Sequence, residues 1–276
     1  MTDTDEIVQA HYQSVAEKYG DSPRATMEDE VVREKEIHQI LDFVSALENL
    51  ADNEPLRVLD LGCGNGYTLG ALSKANPANY YYGTDFSEAL LAIARTRESA
   101  SCEFRHADAR DLPFESDFFD AVYTERCLIN ILDWEQQQRA LQEIARVLKP
   151  GGPYLMIECF TDGLANNNRA RQECGLDEIK AAYHNKYLEK DLCFKAMTDW
   201  FTVVAPGKSN RQQSFYIPES NFLSSHYFIA RVLHPLVSRG TAVKNTEFVK
   251  FFSFLPPVGN YSPIQAYVLR KKTSEV

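Results

Sequence analysis

Residues 56–66 read Leu-Arg-Val-Leu-Asp-Leu-Gly-Cys-Gly-Asn-Gly, with glycine at the alternate positions Gly62, Gly64 and Gly66. The apolar run 57–61 has the length and composition of a buried parallel strand. Glycines directly after such a strand allow positive φ and bring a ligand against bare backbone, so this turn can wrap a nucleotide-like molecule. Asp60 sets the sign of that ligand. A helix N-terminus favours anions, but a carboxylate two residues before the first glycine would repel a pyrophosphate placed there. The dinucleotide fingerprint also asks for glycine where position 67 is tyrosine. The residues point instead to a ligand that carries positive charge.

Asp-x-Gly-x-Gly-x-Gly at a strand end resembles motif I of the class I methyltransferases that use S-adenosylmethionine (SAM), a cofactor with a sulfonium and an ammonium. Further landmarks follow in order. Asp85 ends the strand expected at 80–85, about twenty residues after the glycines, where a carboxylate accepts both ribose hydroxyls of an adenosine. Its alternative is a helix cap, although Ser87 already fills that place. Asp108-Ala109 follows the strand expected at 102–106, and the resemblance implies that this acid and the next amide read adenine. A carboxylate beside an N–H matches the donor and acceptors of that base, with Asp111 as a competitor. Arg-Val-Leu-Lys-Pro-Gly-Gly before an apolar strand is the last landmark. The resemblance covers residues 57–158 and implies a cofactor set of Tyr19, Asp60, Gly62, Cys63, Gly64, Gly66, Asp85, Phe86, Asp108, Ala109, Thr124 and Glu125. Tyr12 and Tyr19, in Tyr-x-x-x-Ala-x-x-Tyr, resemble the aromatic pattern that precedes the core of many small-molecule methyltransferases, and packing is their alternative role.

These residues need a scaffold to hold them. The implied fold is α/β, a doubly wound and mostly parallel seven-stranded sheet with an antiparallel last strand, an N-terminal helical lid and insertions in the C-terminal half. Apolar spacing predicts lid helices over 5–20 and 27–50, core helices over 67–74, 89–97 and 134–148, and strands over 57–61, 80–85, 102–106, 119–123, 153–158, 201–204 and 264–270. The whole chain reads as one domain, with a lid at 1–54, a SAM-binding core at 55–158 and insertions at 159–200 and 207–262. The first insertion carries helices at 163–174 and 188–200, and the second an apolar helix at 222–237. The insertions are expected to form the substrate cover, because binding residues concentrate in loops at that sheet edge. A dimer surface or plain packing is the alternative for the second.

Glu125 and Arg126 leave the fourth strand at the ligand edge, where buried charges must be paired or bound. Glu125 is a candidate for the cofactor ammonium and Arg126 for an anionic acceptor group, unless they satisfy each other. His184 is the candidate general base, since an imidazole takes a proton near neutral pH. Tyr12, Asn185, Tyr187, Tyr227 and Arg231 complete the candidate acceptor set, and the last two share a helix face.

Of 276 residues, 29 are basic and 39 acidic, so the net charge of −10 disfavours nucleic acid and membrane as partners of the surface as a whole. Six scattered cysteines form no C-x-x-C pair and no metal-like cluster, which suits reduced thiols in a cytoplasm. The acidic N-terminus is unlike a signal peptide, and no apolar stretch is long enough to span a bilayer. The expected function is methyl transfer from SAM to an oxygen or nitrogen of a small-molecule acceptor, by a cytoplasmic enzyme that is a candidate homodimer. The rival is a SAM-binding regulatory or scaffold protein without catalysis.

Overall fold

The computed structural model describes residues 3–49, 54–204, 218–238 and 245–273. Its strands are β1 (Arg57–Leu61), β2 (Tyr80–Asp85), β3 (Cys102–His106), β4 (Ala121–Glu125), β5 (Pro153–Cys159), β6 (Phe201–Val204) and β7 (Ile264–Lys271). They form a seven-stranded sheet in the order β3-β2-β1-β4-β5-β7-β6. The strands from β1 to β5 pair in parallel, and β7 runs antiparallel between β5 and β6. Chain order reverses between β1 and β4, so a crevice opens at the carboxyl ends of β1, β2 and β4, where open α/β sheets bind ligands.

The helices of the first half are α1 (Asp3–Tyr19), α2 (Glu30–Glu48), α3 (Tyr67–Ala75), α4 (Glu88–Ala94) and α5 (Trp134–Val147). Those of the second half are α6 (Thr161–Glu173), α7 (Lys190–Met197), α8 (Ser224–Phe228), α9 (His234–Val237) and α10 (Glu247–Phe252). Hydrophobic cores lie on both faces of the sheet. One joins α2 and α3 to Val58, Tyr123 and Ile157, and the other joins α5 and α7 to Leu59, Val122 and Met156. All of β5 is buried, as a strand covered on both faces must be. Asp133 starts α5 by accepting from the Gln136 N–H at 3.0 Å, and Ala140, Leu141 and Ile144 turn inward from it.

Several boundaries differ from the sequence-based expectation for local reasons. β4 begins two residues later than expected, because Asp120 turns its carboxylate to the Arg57 N–H at 2.8 Å and to Lys149 Nζ at 2.5 Å. Phe119 makes only an isolated bridge with Leu148. The helix expected at 188–200 shortens to α7, with Leu188 bridged to Phe160. The helix expected at 89–97 ends as α4 and continues in a 3₁₀ turn over Arg95–Arg97. Residues 50–53, 207–217 and 239–244, part of the lid and second-insertion expectations, lie outside the described residues.

The apolar helix expected at 222–237 is present with a π turn over Ile229–Leu233 between α8 and α9. Pro235 has no N–H to donate back to the Arg231 carbonyl, and the Arg171 guanidinium from α6 donates to that oxygen instead. The second insertion is fastened to the N-terminus of α2 through Asp29. This buried carboxylate caps Val32 at 3.3 Å and accepts from Arg231 Nη2 at 3.1 Å and Asn245 Nδ2 at 3.0 Å, with His226 Nε2 at 3.3 Å. Burial alone would raise its pKa, and the surrounding His226, Arg231 and Asn245 reverse that, holding the carboxyl well below the usual carboxylate range. Replacing it leaves the partly buried Arg231 and the buried His226 without their acid. Asp29→Ala is therefore expected to cost about 3 kcal/mol of stability, read as a lower urea midpoint at unchanged slope.

Candidate active site

The crevice is lined by the tips of the central strands and covered by α1, with about 920 Å³ of space that includes its open mouth. Gly62 and Gly64 adopt φ of 82° and 56° on its wall. A Cβ at Gly62 would lie 2.6 Å from Cys127 Sγ, and one at Gly64 would lie 2.7 Å from Thr26 Cγ2, so both positions exclude any side chain. Gly62 and Cys63 donate their N–H groups to the Thr84 carbonyl at 2.8 and 2.9 Å, which ties the glycine turn to β2.

Asp85 accepts from the Gly64 N–H and the Ser87 N–H, each at 2.8 Å, so it joins two strand-to-helix turns and also faces the cavity. Burial raises its pKa against those two N–H groups. Each oxygen keeps a second lone pair for a hydroxyl. Asp108 is held by Arg110, whose Nε and Nη2 approach its carboxylate to 2.8 and 2.6 Å. The same guanidinium reaches Asp5 on α1 at 3.1 and 3.2 Å. Ala109 and Phe86 complete this wall, with Phe86 stacked on His106. Asp60 is buried beneath the turn, and its Oδ1 has no hydrogen-bond partner among the described residues. Burial drives its pKa well above the ordinary value.

At the tip of β4, Glu125 and Arg126 lie 3.6 Å apart, and each also has a partner on α2. Arg33 pairs with Glu125, whose other oxygen accepts from Thr68 Oγ1 at 2.9 Å. Arg126 pairs with Glu36 at 2.8 Å and donates to the Thr26 carbonyl at 2.6 Å. Burial would raise the Glu125 carboxyl, and the two arginines reverse this and hold it lowered. Four acids (Asp5, Asp85, Asp108, Glu125) and three arginines line the cavity, and Asp60 and Glu36 lie buried behind them. The lining acids outnumber the lining arginines by one, which favours a ligand with net positive charge.

Comparison with known proteins agrees with this geometry. Residues 58–152 match the family described as a methyltransferase domain. A demethylmenaquinone methyltransferase of Clavibacter sepedonicus is 40% identical over 107 residues, 38% of this chain and 42% of that one. Another, from Thermus thermophilus, is 37% identical over 116 residues, 41% of this chain and 51% of that one. The chain thus matches about half the length of these relatives. Among solved structures, the complex of the Haloferax volcanii Trm112 methyltransferase activator with a putative methyltransferase matches with a TM-score of 0.53 at 18% identity, over 95% of this chain and 98% of that one. A geranyl diphosphate methyltransferase solved with GPP and sinefungin matches at 0.54 and 15%, over 86% and 76%. Residues 58–152 carry a methyltransferase domain, and the sheet around them shares the fold of those structures.

The remaining candidates, in and around this methyltransferase domain, divide by position. Tyr12 lines the cavity, with burial raising its pKa against the nearby Arg126. Tyr19 does not line it and donates to Glu28 at the surface. Gly66 (φ 71°) is the N-cap of α3, against Phe104, and Thr124 is buried with its hydroxyl 2.9 Å from that of Tyr154. Tyr187 and Tyr227 pack against the hydrophobic core, and Arg231 is committed to Asp29. Asn185 is held by its N–H to the Ala182 carbonyl at 2.9 Å.

His184 stacks on His11 of α1 with ring centroids 3.6 Å apart, next to Tyr12 and outside the cavity lining. Arg33, Glu36, Asp5, Arg110, Asn130 and Glu158 are site or supporting residues that spacing alone does not reveal. Glu158 is fully buried at the end of β5 and accepts from the N–H groups of Cys127 and Leu128 at 3.0 Å, shaping the loop after β4. Its only sequence signal is a charge at the end of an otherwise apolar strand.

Burial, then the neighbouring His11, lowers the His184 pKa from 6.5 to about 4. The unfolded chain therefore binds more protons than the folded one between those values. The stack's contribution is full above pH 6.5 and is lost as the pH falls toward about 4. Amide exchange in α1 is expected to speed up across that window relative to the sheet, and His184→Phe is expected to abolish the acceleration.

Proposed function

We propose that the chain is a SAM-dependent methyltransferase acting on a small-molecule acceptor. The observation that carries this reading is the acid-rich crevice at the glycine turn, with a carboxylate at the tip of each of β1 and β2 and another just beyond β3. Asp85 is assigned to the ribose hydroxyls, Asp108 and the Ala109 N–H to adenine, and Asp60 and Glu125 to the positive methionine end. Arg33 Nε, without a partner among the described residues, is available to the carboxylate. When bound, the cofactor supplies an electrophilic methyl on a sulfonium.

The protein's part is to bind, orient and keep water out. Holding an acceptor about 3–3.5 Å from the methyl contributes roughly 7–11 kcal/mol to the barrier reduction. The acceptor side is assigned to Tyr12 and Asn130, with the stacked rings of His11 and His184 packed behind Tyr12. The named relatives act on demethylmenaquinone, which adds a ring carbon to oxygen and nitrogen as the acceptor atom. His184, neutral and weakly basic here, is a positioning group in this reading, and an acceptor with an acidic proton needs no base from the chain. We place the reaction in the cytoplasm, with no nucleic acid as substrate.

Calorimetric titration with SAM and its demethylated product tests the cofactor assignment. Asp85→Asn is expected to weaken both by about 1–3 kcal/mol, because one charged acceptor is lost while the side chain's shape is kept. Absence of SAM binding by the parent protein, or preferential binding of NAD, refutes the reading. Labelled-methyl transfer into a metabolite extract then separates an enzyme from a binding protein.

A further inference from the structure

Glu158 lies one residue before the end of β5, and its side chain is fully buried. Its carboxylate meets the loop that leaves β4. Oε1 accepts from the Cys127 and Leu128 N–H groups, each at 3.0 Å, and Oε2 from the Ile129 N–H at 3.4 Å. Among its described partners there is no cation. The residue opposite on β7 is the neutral Gln265, and α5 contributes the neutral Gln137. Arg126 and Lys186, on the two adjoining loops, are paired with Glu36 and exposed to solvent respectively. The titratable groups that feel the Glu158 charge are Cys127 on the loop, Tyr154 and Cys159 on β5 and Cys193 on α7, and it pushes all four up.

A buried carboxylate without a counter-ion is costly. Burial raises the Glu158 carboxyl to about 7, against the three N–H groups and the Thr124 hydroxyl. The folded chain therefore holds this proton more tightly than the unfolded one, so its contribution to stability is full below the ordinary carboxylate range and is lost as the pH rises through about 7. The charge lowers stability, and a glutamine of the same shape would fill the space without it. What the charge supplies is acceptor capacity. A proton turns one lone pair into a donor among three N–H groups that all need acceptors, and the Ile129 N–H, held at the longest distance, is the one that loses its partner.

The loop 127–130 is a junction between the sheet, the first insertion and the crevice. The Ile129 carbonyl accepts from the Lys186 N–H at 2.7 Å, and Gln137 Nε2 joins the Leu128 and Lys186 carbonyls at 3.1 and 3.0 Å. Asn130 follows Ile129 directly, lines the cavity and holds the Arg126 carbonyl at 3.0 Å. Two residues before Lys186, His184 carries the stack with His11 of the lid. We propose that Glu158 is a positioning residue for the acceptor side of the crevice: its carboxylate form locks the loop behind Asn130, and uptake of one proton loosens it. Only the assignment of that side to an acceptor rests on the methyltransferase reading.

The test follows the carboxyl-carbon and amide NMR signals of the whole chain, isotope-labelled and free of cofactor, from about pH 5 to about pH 9. The Glu158 carboxyl is expected to titrate near pH 7, and the Cys127, Leu128 and Ile129 amides to move with the same midpoint. Glu158→Gln is expected to abolish that shared movement and to gain melting temperature over the parent as the pH rises. Labelled-methyl transfer into a metabolite extract supplies the functional readout. The parent-to-variant rate ratio is expected to fall about tenfold between about pH 8 and about pH 6, the change in charged fraction of a group that titrates near 7, and the acceptor's own titration cancels in that ratio. A carboxyl that titrates in the ordinary range, amides that stay still while it titrates, or a ratio indifferent to pH overturns the proposal. If Glu158→Gln does not fold, the parent's carboxyl and amide signals decide alone. The spectra need neither SAM nor acceptor, so failure there is distinguishable from failure of the methyltransferase reading, which shows as no labelled product at any pH.

Discussion

Two arginines and two glutamates buried between α2 and the tip of β4 carry the constraint on which the crevice depends. Arg33, Glu36, Glu125 and Arg126 are all under a tenth exposed in their side chains. Each would cost several kcal/mol to desolvate alone, and only mutual neutralisation makes their burial tolerable. Two charges of each sign cancel within one contact network, and Thr68 and the Thr26 carbonyl take up further hydrogen bonds. The backbone is held as firmly as the charges. Arg126 sits at φ 59°, a left-handed conformation costly for a residue with a Cβ. It is kept there by its N–H to the Ile157 carbonyl at 2.8 Å and by Asn130 Nδ2 on its own carbonyl at 3.0 Å. The result is a rigid floor where β4 meets α2.

Much of the ligand edge was legible in the sequence because each part of it is local. The glycine turn, Asp85 and Asp108 lie at or just beyond the ends of short strands, and β1, β2, β3 and β6 occur at the expected residues. What the sequence hid is pairing across long separations. Arg33 meets Glu125 from 92 residues away, Glu36 meets Arg126 from 90, and Asp5 meets Arg110 from 105. No spacing rule links a helix position to a strand tip at such distances. The expectation for Tyr19 stumbled for a related reason. The spacing puts two tyrosines on one helix, but which of them faces the crevice depends on how α1 docks, and that is set by Asp5 and His11.

The ties of α1 differ in strength, and the difference bears on how molecules enter. At its N-terminal end, Arg110 bridges Asp5 to Asp108, a charge-assisted contact made at the acid assigned to adenine. In the proposed binding mode a base arriving there takes over part of that carboxylate from Arg110, which weakens the first tie. In the middle, His11 leans on His184 through ring stacking with no charge. At the C-terminal end, Asn65 Nδ2 donates to the Gly20 and Ser22 carbonyls at 3.0 and 2.9 Å, joining the lid's end to the glycine turn itself.

That arrangement argues for a hinge at one end of α1 rather than lifting of the whole helix. Gly20, at φ 53° directly after α1, turns the chain, and the Asn65 contacts to Gly20 and Ser22 hold that exit to the glycine turn. Asp108 lies at the end of α1 that Asp5 ties and Asp60 beneath the glycine turn at the other, so the proposed binding mode puts the base beside the lid and the charged end near the floor of Glu125 and Arg126. A pocket divided in that way keeps the paired charges between β4 and α2 apart from the end that α1 covers through Asp5.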